Sequence, residues 1–228
     1  MTLLKLSDGD ETKLNSRKID VETVNARKGY LVVKRCIDFM GSLCGLLLLF
    51  PLFLIVALII KYEDPKGPVF FKQVRIGKDG KEFYIYKFRS MVTDAEDKLK
   101  DLLEHNEVSG AMFKMKKDPR VTHFGHFIRK TSIDELPQLI NVLKGEMSLV
   151  GPRPPLPREV KQYTDHDKQR LLVLPGCTGL WQVSGRNDLG FKEMVELDLE
   201  YINKQSIGTD IQIILKTVTI LFTSKGAY

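Results

Sequence analysis

A long uncharged run dominates the hydrophobic pattern of the chain, and it extends from Phe39 to Ile60 as FMGSLCGLLLLFPLFLIVALII. In a helix its 22 residues would span roughly 33 Å, close to the hydrocarbon thickness of a bilayer. A helix on the surface of a soluble core keeps a polar stripe, and this run has none. The pattern therefore predicts a segment that enters lipid.

The path of this segment stays open on physical grounds. Pro51 lies past the middle of the run and lacks the N–H that would bond to the preceding turn, so we expect a kink or break there. Lys34 and Arg35 precede the run and Lys61 and Lys66 follow it. Because both flanks are basic, the preference of positive residues for the cytoplasmic side gives no orientation. A kinked span and a re-entrant hairpin both fit.

A β-hairpin is predicted after this segment. Two β-prone runs, VFFKQVRI and KEFYIYKF, flank the turn-forming pair Asp79-Gly80. Because side chains alternate along a strand, one face of the second run carries Phe83, Ile85, Lys87 and Arg89.

Helical patterns account for much of the remaining chain. Residues 94–107 predict a charged amphipathic helix, and residues 207–222 predict an apolar one that covers the core or lies on the membrane surface. Residues 1–29 are polar and predict a loose or surface-lying arm. These elements predict an α+β chain that is mainly helical.

Charge and cysteine content narrow the class of partner. The formal net charge of +6 favours an anionic partner, such as nucleic acid, a phospholipid surface or a phosphorylated substrate. The basic residues are spread along the chain, and no nucleic-acid-binding motif is present, so we expect no nucleic acid. Three cysteines, an odd number, predict no disulfide framework and favour a reducing compartment.

Two adjacent carboxylates, Asp134 and Glu135, are the strongest candidates for chemistry. They lie in TSIDELPQLINVLKG, where Ser132 and Glu135 also fit a capping box, so a structural cap is the competing interpretation. With either Ser132 or Asp134 as the cap, the pair occupies the first helical turn. On a helical wheel Asp134, Gln138 and Asn141 share a narrow arc, which suits a lined site as well as a solvated face.

Nearby arginines favour a site for phosphate. Arg120 and Arg129 precede the pair, and Arg153 follows it between two prolines. Cations favour the charged form of a carboxylate, so we expect Asp134 to stay ionised and nucleophilic. Attack on a phosphate anion suggests a divalent cation that bridges Asp134 and Glu135 to the substrate. Each arginine could equally form a structural ion pair.

Three blocks of the sequence carry a resemblance to a known family: residues 34–91, DPRVTHFGHFIRKTSIDELPQLINVLKGEMSLVGPRP and PGCTGLWQVSGR. They resemble the bacterial sugar transferases, which are monotopic phosphoglycosyl transferases. The resemblance implies transfer of a sugar phosphate from a UDP-sugar to undecaprenyl phosphate with release of UMP. It also implies Mg²⁺, a re-entrant membrane segment (30–64) broken at Pro51, and a catalytic domain (65–228) on the cytoplasmic face of the bacterial inner membrane.

The resemblance also assigns roles to residues. It implies Asp134 as nucleophile, Glu135 as its assistant, and Lys87, Arg129 and Arg153 as phosphate contacts. Pro154 would shape the loop of Arg153.

Other assignments stay open. Trp181 could stack on uracil, lie at the membrane interface or fill the core, and Arg186 could contact a diphosphate. Asp198 and Asp210 could form ion pairs or support a metal. The oligomeric state is also open, and a homodimer is compatible with the sequence. The alternatives to the predicted activity are a membrane-anchored basic binding module and a glycosyl transferase that releases UDP.

Overall fold

The structure is a computed structural model that describes residue 19, residues 21–102, residue 115, residues 118–185 and residues 189–223. In this part of the chain the fold is mainly helical, with one antiparallel and one parallel two-stranded sheet. The predicted α+β, mainly helical class is therefore confirmed at this level.

A 36-residue helix is the longest element. Helix α1 (Val21–Ala26) leads into helix α2 (Lys28–Glu63). Helix α2 is long and apolar enough to cross a membrane, with a mean hydropathy of 3.1 over its best 18-residue window. The helix includes Pro51 and is not divided into two helices at this residue. One proline removes a single hydrogen bond, which a membrane helix tolerates. The re-entrant path itself stays a prediction.

The first half of α2 is fixed to the rest of the molecule by polar side chains. The Lys34 ammonium donates to Asp210 at 2.9 Å. The Arg35 guanidinium donates to the last carbonyls of a later helix, at 2.6 Å and 2.8 Å. The Asp38 carboxylate accepts the backbone N–H of Leu149 at 2.9 Å.

The second end of α2 contacts the same body. The Arg89 guanidinium donates to the Asp64 carboxylate at 2.8 Å, and Glu63 accepts from Thr122 at 2.8 Å. Val56 and Ile60 are buried in a cluster with Phe88 and Ile128. Both ends of the apolar helix are therefore attached to one folded unit.

The predicted hairpin is confirmed. Strand β1 (Phe70–Ile76) pairs antiparallel with strand β2 (Glu82–Phe88). The turn uses positive φ angles at Asp79 (56°) and Gly80 (77°), which aspartate and glycine tolerate better than most residues. On β2, Phe83 and Ile85 are buried, as the alternation predicts.

Short helices and a second sheet complete the fold. Strand β3 (Ser148–Val150) pairs in parallel with strand β4 (Gly176–Thr178). This sheet and several of the helices were not predicted from the sequence. The elements are α3 (Ala95–Leu102), α4 (His123–Lys130), α5 (Gln138–Lys144), β3 (Ser148–Val150), α6 (Pro157–Val160), α7 (Asp165–Lys168), β4 (Gly176–Thr178), α8 (Phe191–Asn203) and α9 (Ile207–Thr223). Of the predicted helix 94–107, residues 103–107 lie outside the described part of the chain.

In the described part of the N-terminal arm two apolar side chains pack against the core, which is compatible with the predicted surface-lying segment. Ile19 and Val24 are buried in the cluster that contains Leu199 and Ile202 of α8. The Arg27 guanidinium also donates to the carbonyl of Asn203 at 3.0 Å. Two apolar side chains in a polar stretch are enough to dock it.

Helix α9 combines the two alternatives for its position. Ile213 is buried in the core, whereas Ile211, Leu215 and Val218 are 48%, 61% and 45% exposed. An apolar face that the described chain leaves open suits a membrane interface.

Asp198 and Asp210 form ion pairs. Asp198 pairs with Arg170 at 2.7 Å, and Asp210 pairs with Lys34 at 2.9 Å. The structure therefore favours the ion-pair alternative for both residues.

Candidate functional site

The carboxylate pair lies in a short 3-10 turn, Ile133–Glu135, that precedes α5. Ser132 enters this turn with a φ angle of 56°, and its side chain forms no helix-capping hydrogen bond. Helix α5 begins at Gln138 after Pro137, which has no N–H to donate. The capping interpretation was therefore wrong, as was the position of the pair in the first α-helical turn. The left-handed residue instead turns the chain sharply before the carboxylates.

The polar stripe of this segment faces the protein interior. Asp134, Gln138 and Asn141 are 8%, 3% and 0% exposed. The Asn141 side chain accepts the backbone N–H of Tyr86 at 3.1 Å and donates to the carbonyl of Tyr84 at 2.7 Å. This bond pair attaches α5 to the edge of β2. The polar stripe is therefore buried and not solvated, and its role in lining a site stays a prediction.

The attachment brings Lys87 to the carboxylates. The Lys87 Nζ lies 2.6 Å from Glu135 Oε1, with the two side chains 23% and 39% exposed. Arg129, in the last turn of α4, acts electrostatically on Asp134 together with Lys87. Four predicted site residues from three elements therefore lie together.

Burial controls the ionisation of the nucleophile candidate. It raises the pKa of Asp134 from 3.8 to about 6. The cations Lys87 and Arg129 lower this pKa, whereas the charge of Glu135 raises it further. The cations favour the charged form, as expected, but desolvation, which the sequence does not show, is the larger effect. Asp134 still carries a negative charge at neutral pH, and a carboxylate that is poorly solvated is more reactive than one in water.

A thiol close to the site is a weaker nucleophile candidate. Burial, followed by Glu135, raises the pKa of the Cys177 thiol well above its usual value. Since the thiolate is the nucleophilic form, Cys177 is inert at neutral pH. Its side chain packs with the apolar cluster of Val142 and Met147.

Arg153 lies in the loop after β3, where three glycines allow close backbone contact. A Cβ atom on Gly176 would lie 2.0 Å from the backbone N of Gly151, and one on Gly179 would lie 2.4 Å from its O. Gly151 N–H donates to the carbonyl of Thr178 at 2.8 Å. The Arg153 guanidinium contacts the buried Glu159 at 3.3 Å. The loop is thus fixed against β4.

Arg75 is a residue of this region that sequence reasoning missed. It lies on β1 opposite Phe83, on the face that also carries Lys87, and it is 8% exposed. Its guanidinium donates to the carbonyl of Pro154 at 3.0 Å. The alternation of side chains along β1 was the signal that could have placed it beside Lys87.

Three other predicted residues do not join this group. Arg120 is 6% exposed and pairs with Asp118 at 2.6 Å, which agrees with the alternative that it forms a structural ion pair. Trp181 is 8% exposed, which fits the core interpretation, and its indole N–H has no partner in the described part of the chain. Arg186 lies outside the described residues, and its phosphate role stays a prediction.

The carboxylates fit a shared magnesium ion. Among the described residues no group of three His, Cys, Asp or Glu side chains could hold a metal. Mg²⁺ commonly takes one or two carboxylates and completes its octahedron with substrate phosphates and water. Asp134 and Glu135 supply hard oxygen ligands of this kind, so the pair suits an ion that arrives with a phosphorylated substrate.

Comparison with known proteins gives long matches. The sequence model described as bacterial sugar transferase matches residues 29–224. The chain is 50% identical over 199 residues to the galactosyl transferase CpsE of Streptococcus agalactiae, covering 87% of this chain and 44% of that protein. It is 44% identical over 207 residues to the undecaprenyl-phosphate galactose phosphotransferase of Salmonella typhimurium, covering 89% and 43%.

A third relative is the UDP-glucose:undecaprenyl-phosphate glucose-1-phosphate transferase of Escherichia coli. It is 41% identical over 205 residues, which cover 86% of this chain and 42% of the relative. The chain therefore spans less than half the length of these three relatives.

The raised pKa of Asp134 makes a prediction about stability. The pKa of this carboxyl is near 6 in the folded state and 3.8 in the unfolded state, so its ionised form destabilises the fold. The loss of stability is complete above pH 6 and absent below about pH 4. Asp134→Asn should therefore raise the free energy of unfolding at pH 7.5 by up to about 3 kcal/mol. Thermal unfolding in detergent at pH 7.5 and pH 4 measures this.

The matched control is Asp165→Asn, which changes a carboxylate that is 95% exposed and should leave the midpoint nearly unchanged. Equal midpoints for Asp134→Asn and the unmodified chain at pH 7.5 would contradict the burial argument.

Proposed function

The chain belongs to the bacterial sugar transferase family, and we propose that it transfers a sugar phosphate from a UDP-sugar to undecaprenyl phosphate. The observation that carries the proposal is a buried carboxylate, Asp134, beside the Lys87–Glu135 ion pair and Arg129. A desolvated carboxylate near cations is suited to attack on phosphorus. Two relatives named as undecaprenyl-phosphate transferases support the same acceptor.

In the first half-reaction, a carboxylate oxygen of Asp134 attacks the β-phosphorus of the UDP-sugar. The bond from that phosphorus to the bridging oxygen breaks, and UMP leaves with the electron pair. The sugar phosphate stays on Asp134 as an acyl phosphate, in which the side-chain carboxylate oxygen is bonded to phosphorus. Lys87 and Arg129 favour this step because negative charge accumulates at the phosphoryl oxygens between them.

In the second half-reaction, a phosphate oxygen of undecaprenyl phosphate attacks the same phosphorus. The bond to Asp134 breaks, which restores the carboxylate and gives undecaprenyl diphosphate-sugar. Glu135 is more exposed than Asp134 and is the better placed of the two to accept a proton from the incoming phosphate. Arg153, in its proline-rich loop, would hold the diphosphate of the nucleotide.

Mg²⁺ held by Asp134 and Glu135 would neutralise phosphate charge when bound. The protein's own contribution is the fixed arrangement of carboxylates and cations, which exists without the ion.

We further propose that the chain is monotopic, with both ends of α2 at the cytoplasmic face of the bacterial inner membrane. Asp38 near the first end and Asp64 after the second are both bonded to the same folded unit. A straight 36-residue helix would separate its ends by about 54 Å, which places them on opposite sides of a bilayer. Attachment of both ends to one domain therefore supports a re-entrant path.

The covalent step predicts the behaviour of Asp134→Asn. The amide is not nucleophilic, so UMP release from a UDP-sugar and undecaprenyl phosphate should fall by about 1,000-fold or more. Labelling of the protein by a UDP-sugar radioactive in the sugar should disappear. Asp165→Asn is the control and should retain both activities. A labelled and active Asp134→Asn protein would end the covalent proposal, and UDP as product would indicate a glycosyl transferase.

The same carboxyl predicts the pH dependence of the first half-reaction. Because burial raises the pKa of Asp134 to about 6, the rate of protein labelling should be level above pH 7 and halved near pH 6. Below pH 5 it should fall about tenfold per pH unit. Measurement without acceptor avoids titration of the acceptor phosphate, whose second pKa is also about 6. A rate that stays level down to pH 4 would contradict the assignment.

The monotopic proposal predicts the labelling of two introduced cysteines. Gly29→Cys, in the first turn of α2, and Lys66→Cys, just after it, are at exposed positions, and each is made in a chain with Cys36, Cys44 and Cys177 replaced. A membrane-impermeant maleimide should modify both in inverted vesicles and neither in intact cells. Modification of the two from opposite sides would identify a single span.

A further inference from the structure

Arg75 is a buried cation at the base of the loop that carries Arg153. It is 8% exposed, and in the described part of the chain it has no carboxylate partner at ion-pair distance. Its Nη1 donates to the carbonyl of Pro154 at 3.0 Å, and its Nη2 donates to the side-chain oxygen of Gln73 at 2.9 Å. Its Nε is buried without a partner among the described residues. A buried guanidinium held only by neutral oxygens is costly, which calls for an explanation.

The loop needs donors from outside because of its composition. Residues 152, 154 and 155 are prolines and have no N–H, so few backbone donors remain in the loop to fix its shape. Its carbonyls accept instead. Pro152 accepts from Gly176 N–H at 2.8 Å, and Pro155 accepts from Ile76 N–H at 3.0 Å. The carbonyl of Pro154, one residue after Arg153, accepts from the Arg75 side chain instead of from a backbone N–H.

The electrostatics of Arg75 point toward an anion. Burial and the neighbouring Arg153 both disfavour its charge, while Glu159 and Glu135 favour it from a distance. Two guanidinium groups that repel each other in the free protein gain stabilisation when a negatively charged group approaches them. The diphosphate of a nucleotide supplies that charge.

We propose that Arg75 is a positioning residue that holds the loop of Arg153 in the geometry for the substrate diphosphate. This inference rests on the proposed function, since it takes the diphosphate of a UDP-sugar as the ligand. Arg75 acts through Pro154 and Arg153 and has no role as nucleophile or base.

A double-mutant cycle tests the coupling. Arg75→Met keeps the length of the side chain but removes its charge and donors, and it should lower kcat/KM for the UDP-sugar by about 10- to 100-fold, mainly as a rise in KM. If Arg75 acts through Arg153, the double variant with Arg153→Ala should be within about twofold of Arg153→Ala alone. Losses that multiply in the double variant would overturn the proposal.

Two variants separate this role from charge and from folding. Arg158→Met removes an exposed arginine of α6 that also acts on Arg75 electrostatically, and it should retain kcat/KM. Arg75→Lys keeps a charge and one donor and should restore part of the loss. If Arg75→Met does not fold, the same cycle is run with Arg75→Lys, and multiplying losses again count against the proposal.

Hydrogen exchange of the loop gives a readout that needs no activity. The amides of Gly151 and Leu156 should exchange faster in Arg75→Met than in the unmodified chain and in Arg158→Met. Unchanged exchange would overturn the positioning role. Absence of UMP release by the unmodified chain would contradict the proposed function alone, because the exchange result still decides the role of Arg75.

Discussion

The candidate site depends on keeping a carboxylate ionised where water is scarce. Asp134 is 8% exposed, and its burial raises the pKa enough to cost stability at neutral pH. The charge is tolerated because Lys87 and Arg129 act on it from two other elements. Any movement of β2 or α4 away from the 3-10 turn would leave that charge unsupported. The positions of the hairpin and of α4 therefore influence the ionisation of one side chain.

The membrane helix contributes to this arrangement directly. Arg35 bonds to the last carbonyls of α5, and Asp38 bonds to Leu149 just before the Arg153 loop. One turn of α2 therefore fixes two elements of the site. They are the C-terminal end of α5 and strand β3, which leads to the loop of Arg153. An anchor that served only to hold the protein at the bilayer would need neither bond. In this fold the anchor is part of the scaffold of the site.

Local patterns were predictable from the sequence, and the balance of long-range effects was not. The alternation around Asp79-Gly80 predicted the hairpin and the face of Lys87, and the helical wheel predicted the polar stripe of Asp134. Desolvation of Asp134 depends on everything that packs around it, so its effect on the pKa could not be seen in the sequence. The parallel pairing of β3 with β4 joins strands of three residues each, which are too short for a periodic pattern. The attachment of both ends of α2 to one folded unit joins residues far apart in the chain and has no local signal either.

Two neighbouring pairs of side chains, Lys87 with Glu135 and Arg75 with Arg153, differ in net charge. This difference suits a site that binds an anionic substrate and then reacts with it. On one side Lys87 and Glu135 neutralise each other at 2.6 Å, so that part of the site carries little net charge. On the other side Arg75 and Arg153 act on each other electrostatically, and Glu159 is bonded to Arg153. In the proposed reaction the diphosphate would be drawn to the arginine side by charge, with its reacting phosphorus next to the balanced side. There Asp134 meets less repulsion than a carboxylate would meet in an acidic cluster, and the cations that hold the substrate do not need to be released for the attack.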